Sequence, residues 1–350
     1  MTSSTPLIGE AKLRAFVSQL FMARGMHAQD AAAVARVLVW ADLRGGDTHG
    51  VSRIPHYFGM IDKGAMDPQA VPETRVDFGA VFALDAHKAA GPVAMMQALE
   101  QAQTRARAFG IGLGLVGGAT HSGAIGCYAE AAARNGFAAI IFAAGPPLMA
   151  YHGARVASVS TAPVAIAVPG GPDGAILLDM ASSLVSNGRL KNARRDKEIL
   201  PLGWALDAEG KPATEAVKAE VLLPMGGPKG AGLALMSECI TSLLAGAPIL
   251  SAMLGPNGKR AHGQNATIIL IDVARLREAD DYASDIDALV EVMKGLPRVE
   301  GVDELRLPGE RGARAAVLHA QGGIPVSPKV WAELVALAQA HQITVPETGL

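Results

Sequence analysis

The stretch GIGLGLVGG, residues 110–118, places Gly112, Gly114 and Gly117 in the spacing G-x-G-x-x-G, the loop pattern that cradles a dinucleotide pyrophosphate in a Rossmann fold. How these nine residues are read decides the fold class. A working fingerprint follows a strand, opens a helix and sets an acidic residue ~20 positions on, where it reaches the ribose. Here the segment before Gly112 is helical: Val93, Met96, Leu99, Ala102 and Ala106 share one face of a run from about Pro92 to Phe109 that stops at Gly110. The glycines alternate with Ile, Leu and Val, as they do inside a strand against which something packs closely. Where the acid should stand the chain reads FAAIIFA, and the nearby carboxylate, Glu130, falls too early and mid-helix. The spacing is therefore accidental, and any dinucleotide binds without a Rossmann loop.

Working outward, IGLGLV (111–116), FAAIIFA (137–143), PVAIAV (163–168), AILLDM (175–180) and TIILIDV (267–273) are short apolar runs bounded by Gly, Pro or Asp. They predict buried strands in a sheet covered on both faces. Helices are predicted around them. Leu13, Phe16, Val17, Leu20 and Phe21 mark one that stops at Gly25, and a second runs from Ala28 to Leu43 before Gly45-Gly46. Further helical patterns cover Gly123–Asn135, Lys229–Leu244, Asp280–Lys294 and Ser327–His341, the last with Ser327 as N-cap and Pro328 at its first position. The class is α/β with extra helices at both chain ends. VPETRVDFG (71–79) reads as a bridge, which divides the chain into a helical segment 1–75, an α/β core 76–310 and a C-terminal helical segment 311–350.

Composition narrows the function. Half of the 350 residues are apolar, enough for a sizeable core, and the formal net charge is −2 with no clustered Lys/Arg, so nucleic acid is not an expected partner. The longest apolar stretch, FAAIIFAAGPPLMA (137–150), is interrupted by Gly145, Pro146 and Pro147 and is too short for a membrane span. MTSSTPLIGEAKLRAFV carries no export-signal pattern, and a cytoplasmic protein is expected. Cys127 and Cys239 are read as two buried free thiols. No metal is expected: there is no H-E-x-x-H or C-x-x-C, and the nine histidines are scattered.

Three polar clusters remain. Thr48-His49-Gly50-Val51-Ser52-Arg53, with Tyr57 four residues on, joins an imidazole proton donor to a hydroxyl and to a guanidinium fork that matches a carboxylate. Thr120-His121-Ser122-Gly123-Ala124-Ile125 opens a helix, where free N–H groups attract anions. Gly226-Gly227-Pro228-Lys229-Gly230 sets a lysine in a glycine turn at a helix start, without the spacing of a nucleotide-triphosphate loop. The absence of a G-x-S-x-G elbow disfavours a serine hydrolase.

ADLRGGDTHGVSRIPHY (41–57), GGATHSGAIGCYAEAAARNG (117–136), ILLDMASS (176–183), GWALDAEGKPAT (203–214), GGPKGAGLALM (226–236) and RLPGERG (306–312) occur in order. With this series the chain resembles, over nearly its whole length, the malate/L-lactate dehydrogenase-like family, which includes sulfolactate and ureidoglycolate dehydrogenases and cyclic-imine reductases. The resemblance implies a non-Rossmann fold with a mixed sheet covered by helices, a homodimer, and NAD or NADP as cofactor. It makes His49 the acid/base with Thr48 as its hydroxyl partner, and His121 a further proton-transfer candidate. Arg53 clamps a small carboxylate substrate, with Tyr57, Thr120 and Thr161 beside it. The cofactor falls to His121, Ser122, Gly123, Ala124 and Ile125, to Leu178, Asp179 and Met180, and to Lys229 and the loop Leu307, Pro308, Gly309, Glu310, Arg311, Gly312 and Ala313. A cofactor that brings the hydride leaves the protein to orient, protonate and neutralise charge.

Three departures bear on the substrate. Thr48 stands where Ser is common, Ser160-Thr161-Ala162-Pro163 where the family shows G-T-N-P, and Tyr151-His152-Gly153 where a Pro-Gly-Gly-like turn is usual. The expected activity is interconversion of a small 2-oxo acid and its 2-hydroxy acid, with NADH or NADPH. A cyclic imine carboxylate ranks second, because such reductases place an Asp near Ser186-Asn187-Gly188-Arg189-Leu190, where this chain has none. A non-catalytic dinucleotide-binding homologue is the third reading.

Overall fold

The computed structural model describes residues 5–256, 258 and 263–349. Strand β1 (Leu7–Ile8) precedes helices α1 (Glu10–Met22) and α2 (Ala28–Leu43), and two 3-10 turns, Asp47–His49 and Val51–Arg53, run into α3 (Ile54–Asp62). Next come β2 (Glu73–Phe78), β3 (Val81–Asp85), α4 (Gly91–Phe109), β4 (Ile111–Ala119), α5 (Gly126–Arg134) and β5 (Phe137–Ala144). The chain continues through β6 (Met149–Ala150), β7 (Ala157–Val159), β8 (Val164–Pro169), β9 (Ala175–Met180), α6 (Asn187–Arg195), β10 (Ala205–Leu206) and β11 (Val221–Leu222). It closes with α7 (Pro228–Glu238), α8 (Leu250–Leu254), β12 (Gln264–Asp272), α9 (Ala279–Gly295), α10 (Glu310–Gly322), β13 (Ile324–Pro325) and α11 (Pro328–Ala340).

The main sheet has the order β2-β3-β4-β12-β5-β8-β9 among the described residues. Only β3 and β4, joined through α4, pair in parallel; the other neighbours are antiparallel. A dinucleotide-binding Rossmann sheet is parallel, so this topology is a different one. The glycines of 110–118 lie within β4, and their lack of a side chain answers to packing: a Cβ on Gly112 would run into the Ala102 carbonyl of α4, and one on Gly114 into the Phe82 ring. Small residues let α4 approach β4 closely, and Ala94, Ala98, Ala102 and Ala106 are all buried against the sheet with Ile268 and Leu270 of β12. Cutting Ile268 back to Ala would cost ~2–5 kcal/mol. On the opposite face a π-helical turn, Cys239–Leu243, follows α7, and Thr267 Oγ1 donates to the Ile240 carbonyl at 2.7 Å.

Helix α2 is buried on two sides. Val37 belongs to the sheet core, while Val34, Leu38 and Val39 join Leu13, Phe16, Leu20, Tyr57 and Phe58 in a second, helical core. The turn that follows α2 is thus anchored to both cores. Strands β1 and β13 pair, and Leu334 and Ala338 of α11 complete the helical core, tying the two chain ends together.

Four local expectations need correction. Residues 73–78 of the supposed bridge form edge strand β2, and its entirely exposed side chains explain why no period-2 apolar signal marks it. The helix expected from Gly123 begins at Gly126, and the helix expected to run unbroken to Leu244 becomes a π-turn after Glu238. Cys127 is buried and free as expected, but Cys239 is only half-buried. A small four-stranded sheet, β10-β11-β6-β7, was not legible in strands of two or three residues.

Candidate active site

Gly50 lies between the two 3-10 turns and lets them sit directly on Asp42 of α2; a Cβ on Gly50 would collide with that carboxyl. Asp42 is buried, its Oδ2 accepts the Val51 N–H at 2.7 Å, and burial pushes its pKa up to about 8. The turn so held carries the first polar cluster. Arg53 Nε donates to the Thr48 carbonyl at 2.6 Å, and Thr48 Oγ1 lies 3.2 Å from His49 Nδ1.

The β4–α5 connection brings His121 against this turn. The His49 and His121 rings stack, with centroids 5.8 Å apart and planes inclined by 16°. Tyr57 of α3, wholly buried, sits 2.8 Å from His121 Nδ1 and donates to the His121 carbonyl at 2.9 Å, a link between residues 64 positions apart. Burial, followed by the Arg53 charge, pushes the His49 pKa down to about 4 and holds His121 well below the ordinary imidazole range. The Tyr57 hydroxyl is raised by burial. Both rings are therefore neutral at pH 7. Among the described residues Arg53 has no carboxylate within ion-pair distance, so its outer N–H groups suit an incoming carboxylate.

The rest of the second cluster does not form an open anion hole. Ser122 N donates to Gln264 Oε1 at 2.6 Å, and Gly126 N to Asp179 Oδ2 at 3.0 Å. Gly123 takes φ +71°, and its N–H points to His121 Nδ1 at 3.3 Å. Ala124 is half-exposed and Ile125 is buried in the sheet core. Thr120 is buried with its hydroxyl engaged twice, accepting from Gly91 N and donating to the Ala89 carbonyl, which leaves it a structural part. Thr161 is half-buried and its carbonyl accepts from Ser182 N at 2.8 Å.

Strand β9 and its continuation string together the three glycine-rich turns. Leu177 N donates to the Pro308 carbonyl, Asp179 caps the start of α5, and Ser182 O abuts Gly230 at the start of α7. Asp179 is exposed, yet the protein around it pushes its pKa up to about 6 by desolvation, against the Gly126 N–H. Leu178 and Met180 alternate onto the other face of the strand, half-buried. Gly309 has φ +85°, and a Cβ there would sit 2.7 Å from the Leu177 carbonyl. Among the described residues no side chain caps α10 or α7, while Lys229 and Arg311 are exposed at their first turns. Each of these helix starts, with its glycine turn and its cation, suits a phosphate. Glu310 takes no part: its carboxylate is held by Lys294 at 2.5 Å, by Arg314 at 2.5 Å and by Leu307 N at 2.9 Å. Gly312 lies against the Arg44 guanidinium and Ala313 is buried.

Two of the departures are now placed. His152 lies against Gly227 at the start of α7, its Nδ1 3.4 Å from where a Cβ would be. Ala162 has φ +33°, a left-handed conformation that Asn adopts more readily, and Ser160 Oγ supports it by accepting from Gly145 N and Ala162 N. Sequence reasoning missed Arg44. Buried Arg44 joins the Glu130 carboxylate at 3.0 Å to the Gly309 carbonyl at 2.9 Å, and neither partner is near it in the chain.

The family model for malate/L-lactate dehydrogenase matches residues 8–335. A malate dehydrogenase of Pyrococcus horikoshii is 31% identical over 94% of this chain and 93% of its own. A (2R)-3-sulfolactate dehydrogenase (NADP(+)) of Chromohalobacter salexigens is 33% identical over 82% of this chain and 85% of its own. The solved sulfolactate dehydrogenase of Methanocaldococcus jannaschii superposes with a TM-score of 0.87 at 27% identity, covering 97% of this chain and 98% of that one. The chain belongs to the malate/L-lactate dehydrogenase family and is an NAD(P)-dependent oxidoreductase of that non-Rossmann fold.

Proposed function

We propose that this protein interconverts a small 2-oxo acid and its 2-hydroxy acid, and that His49 and Arg53 are the centre of that chemistry. The observation that carries the reading is a pair of stacked imidazoles beside a guanidinium that, among the described residues, no carboxylate neutralises. Arg53 takes the substrate carboxylate through its free fork. His49 exchanges a proton with the oxygen at C2, and the Thr48 hydroxyl orients its ring. His121, fixed by Tyr57, forms the second wall. The dinucleotide, NADH or NADPH, supplies the hydride when bound, and the Gly309 turn, Arg311 and Lys229 hold its phosphates. As a neutral imidazole His49 is ready to accept a proton from an alcohol. In the reverse direction a bound carboxylate offsets the Arg53 charge and allows His49 to become the acid.

The unpaired thiols suit a reducing compartment, and we place the protein in the cytoplasm. Met236, Leu243 and Leu244, exposed along α7 and the turn after it, support a homodimer, which light scattering would test.

Supplying NADH and NADPH with a panel of 2-oxo acids, and in parallel with cyclic imine carboxylates, tests the activity. Oxidation with oxo acids is expected, and its loss by ~10²–10⁴-fold in His49→Ala. Oxidation with imines alone, or none at all, refutes the oxo-acid reading.

A further inference from the structure

Helix α10 is docked on the C-terminal end of α2, the helix that runs into the His49 turn. Toward the far end of α10, His319 Nδ1 donates to the Leu43 carbonyl at 2.8 Å, and midway Gly45 faces Ala315. At the start of α10 one side chain makes the joint. Arg44 Nη2 donates to the Gly309 carbonyl at 2.9 Å while Nη1 holds Glu130 Oε1 at 3.0 Å, with only 10% of the Arg44 side chain and 11% of the Glu130 side chain exposed. The second Glu130 oxygen accepts from Trp40 Nε1 at 2.6 Å, and the guanidinium lies over the Trp40 ring, 5.1 Å from its centroid. Gly312 closes the remaining side, since a Cβ there would come 3.0 Å from Arg44 Nε.

The Gly309 carbonyl also accepts the first bond of α10, from Ala313 N at 3.0 Å. Its position therefore sets the direction of the Arg311 and Gly312 N–H groups, which precede that bond and have no partner within the helix. On the other side Arg44 leads straight into the catalytic turn: Gly46 N donates to the Ala41 carbonyl at 2.7 Å, and His49 N to the Gly46 carbonyl at 2.9 Å. Resting on the reading that the Gly309 turn holds the cofactor phosphates, we infer that Arg44 is a positioning residue that keeps this turn in register with the His49 turn. Its geometry matters here rather than its charge, which Glu130 neutralises: a planar fork holds carboxylate and carbonyl at once, and a point charge does not fix both directions.

Calorimetric titration with whichever of NADH and NADPH the unaltered protein binds more tightly reads the inference without turnover. Arg44→Ala would strip buried Glu130 of its partner and endanger the fold, so Arg44→Lys, which keeps a cation there and removes the fork, is the deciding variant. It is expected to weaken cofactor binding about tenfold, the scale of one hydrogen bond to a charged group. At saturating cofactor kcat should also fall about tenfold or more, because small displacements from productive geometry are costly. His319→Phe cuts the other tether between α10 and α2; it should lower the unfolding temperature and leave cofactor affinity unchanged. Unchanged affinity in Arg44→Lys, or an equal loss of affinity in His319→Phe, overturns the inference. Arg311→Met, at an exposed position of the same helix start, tests the reading beneath it. Full affinity in that variant removes the phosphate from the turn, whereas weakened binding there with full affinity in Arg44→Lys removes only the role of Arg44.

Discussion

Proton uptake on ligand binding tests the cleft most directly. His49 sits at about 4 because it is buried and faces the Arg53 guanidinium, against an ordinary value of 6.5. At pH 6 a group with that depressed pKa is only about 1% protonated, whereas one restored to its ordinary value is roughly three-quarters protonated. An inert analogue such as oxamate, placed with its carboxylate on Arg53, removes the smaller, Arg53 part of the depression, while burial, the larger part, remains, so His49 recovers in part. Binding is then expected to take up a fraction of a proton per site at pH 6, with about 0.7 as the ceiling that full recovery would set. Calorimetric titration of the protein with NADH in two buffers of different ionisation enthalpy reads that number from the difference in heat. At pH 8 both forms are unprotonated, and uptake should vanish. In His49→Gln the pH 6 uptake should fall to near zero. An uptake near zero in the unaltered protein, or one that persists undiminished in His49→Gln, refutes the coupling of imidazole and guanidinium on which the proposed chemistry stands.

Other consequences are equally open to measurement. Arg53→Lys replaces a planar fork by a point charge and should raise KM for the oxo acid about tenfold or more, with a smaller change in kcat, in steady-state assays. Gly309→Ala places a Cβ 2.7 Å from the Leu177 carbonyl at φ +85°, and should weaken NADH binding at least about tenfold in fluorescence titrations and lower stability by ~1–3 kcal/mol. Asp42 binds its proton more firmly folded than unfolded, so its contribution to stability is lost as pH rises from about 4 to 8. Asp42→Asn keeps an acceptor for Val51 N–H and should flatten that part of the pH profile in urea unfolding. Asp42→Leu leaves the donor unpaired at a cost of ~1–3 kcal/mol at every pH.

Local pattern and spatial assembly contributed different parts of this picture. The predicted helix over 28–43 coincides with α2, and the five apolar runs are strands, because the period of burial is written into neighbouring residues. Rejecting the glycine loop also required only local context: a helix before it, no acid after it, and glycines spaced as a close-packed strand spaces them. By contrast, edge strand β2 escaped notice because none of its side chains is buried, and the two-residue strands are too short to show a period.

The site divides in the same way. His49 and Arg53 were legible as a pair because both lie on one short turn, and the family order of motifs named their partners. Thr120 looked functional beside His121, yet its hydroxyl is spent on the backbone of the α4 entry. Glu310 lay within the matched motif, and its carboxylate is committed to Lys294 and Arg314.

The amino-acid sequence by itself determined most of the helices, the long buried strands, the non-Rossmann class and the residue types available for catalysis, since propensity and amphipathic period act over a few residues. Tertiary structure alone decided that two imidazoles stack, that Tyr57 reaches across 64 positions to His121, and that α6 sets Gly188 against Thr48. Those contacts come from packing α2, β4 and α6 around shared cores, and desolvation in that packing sets which of the groups carry charge.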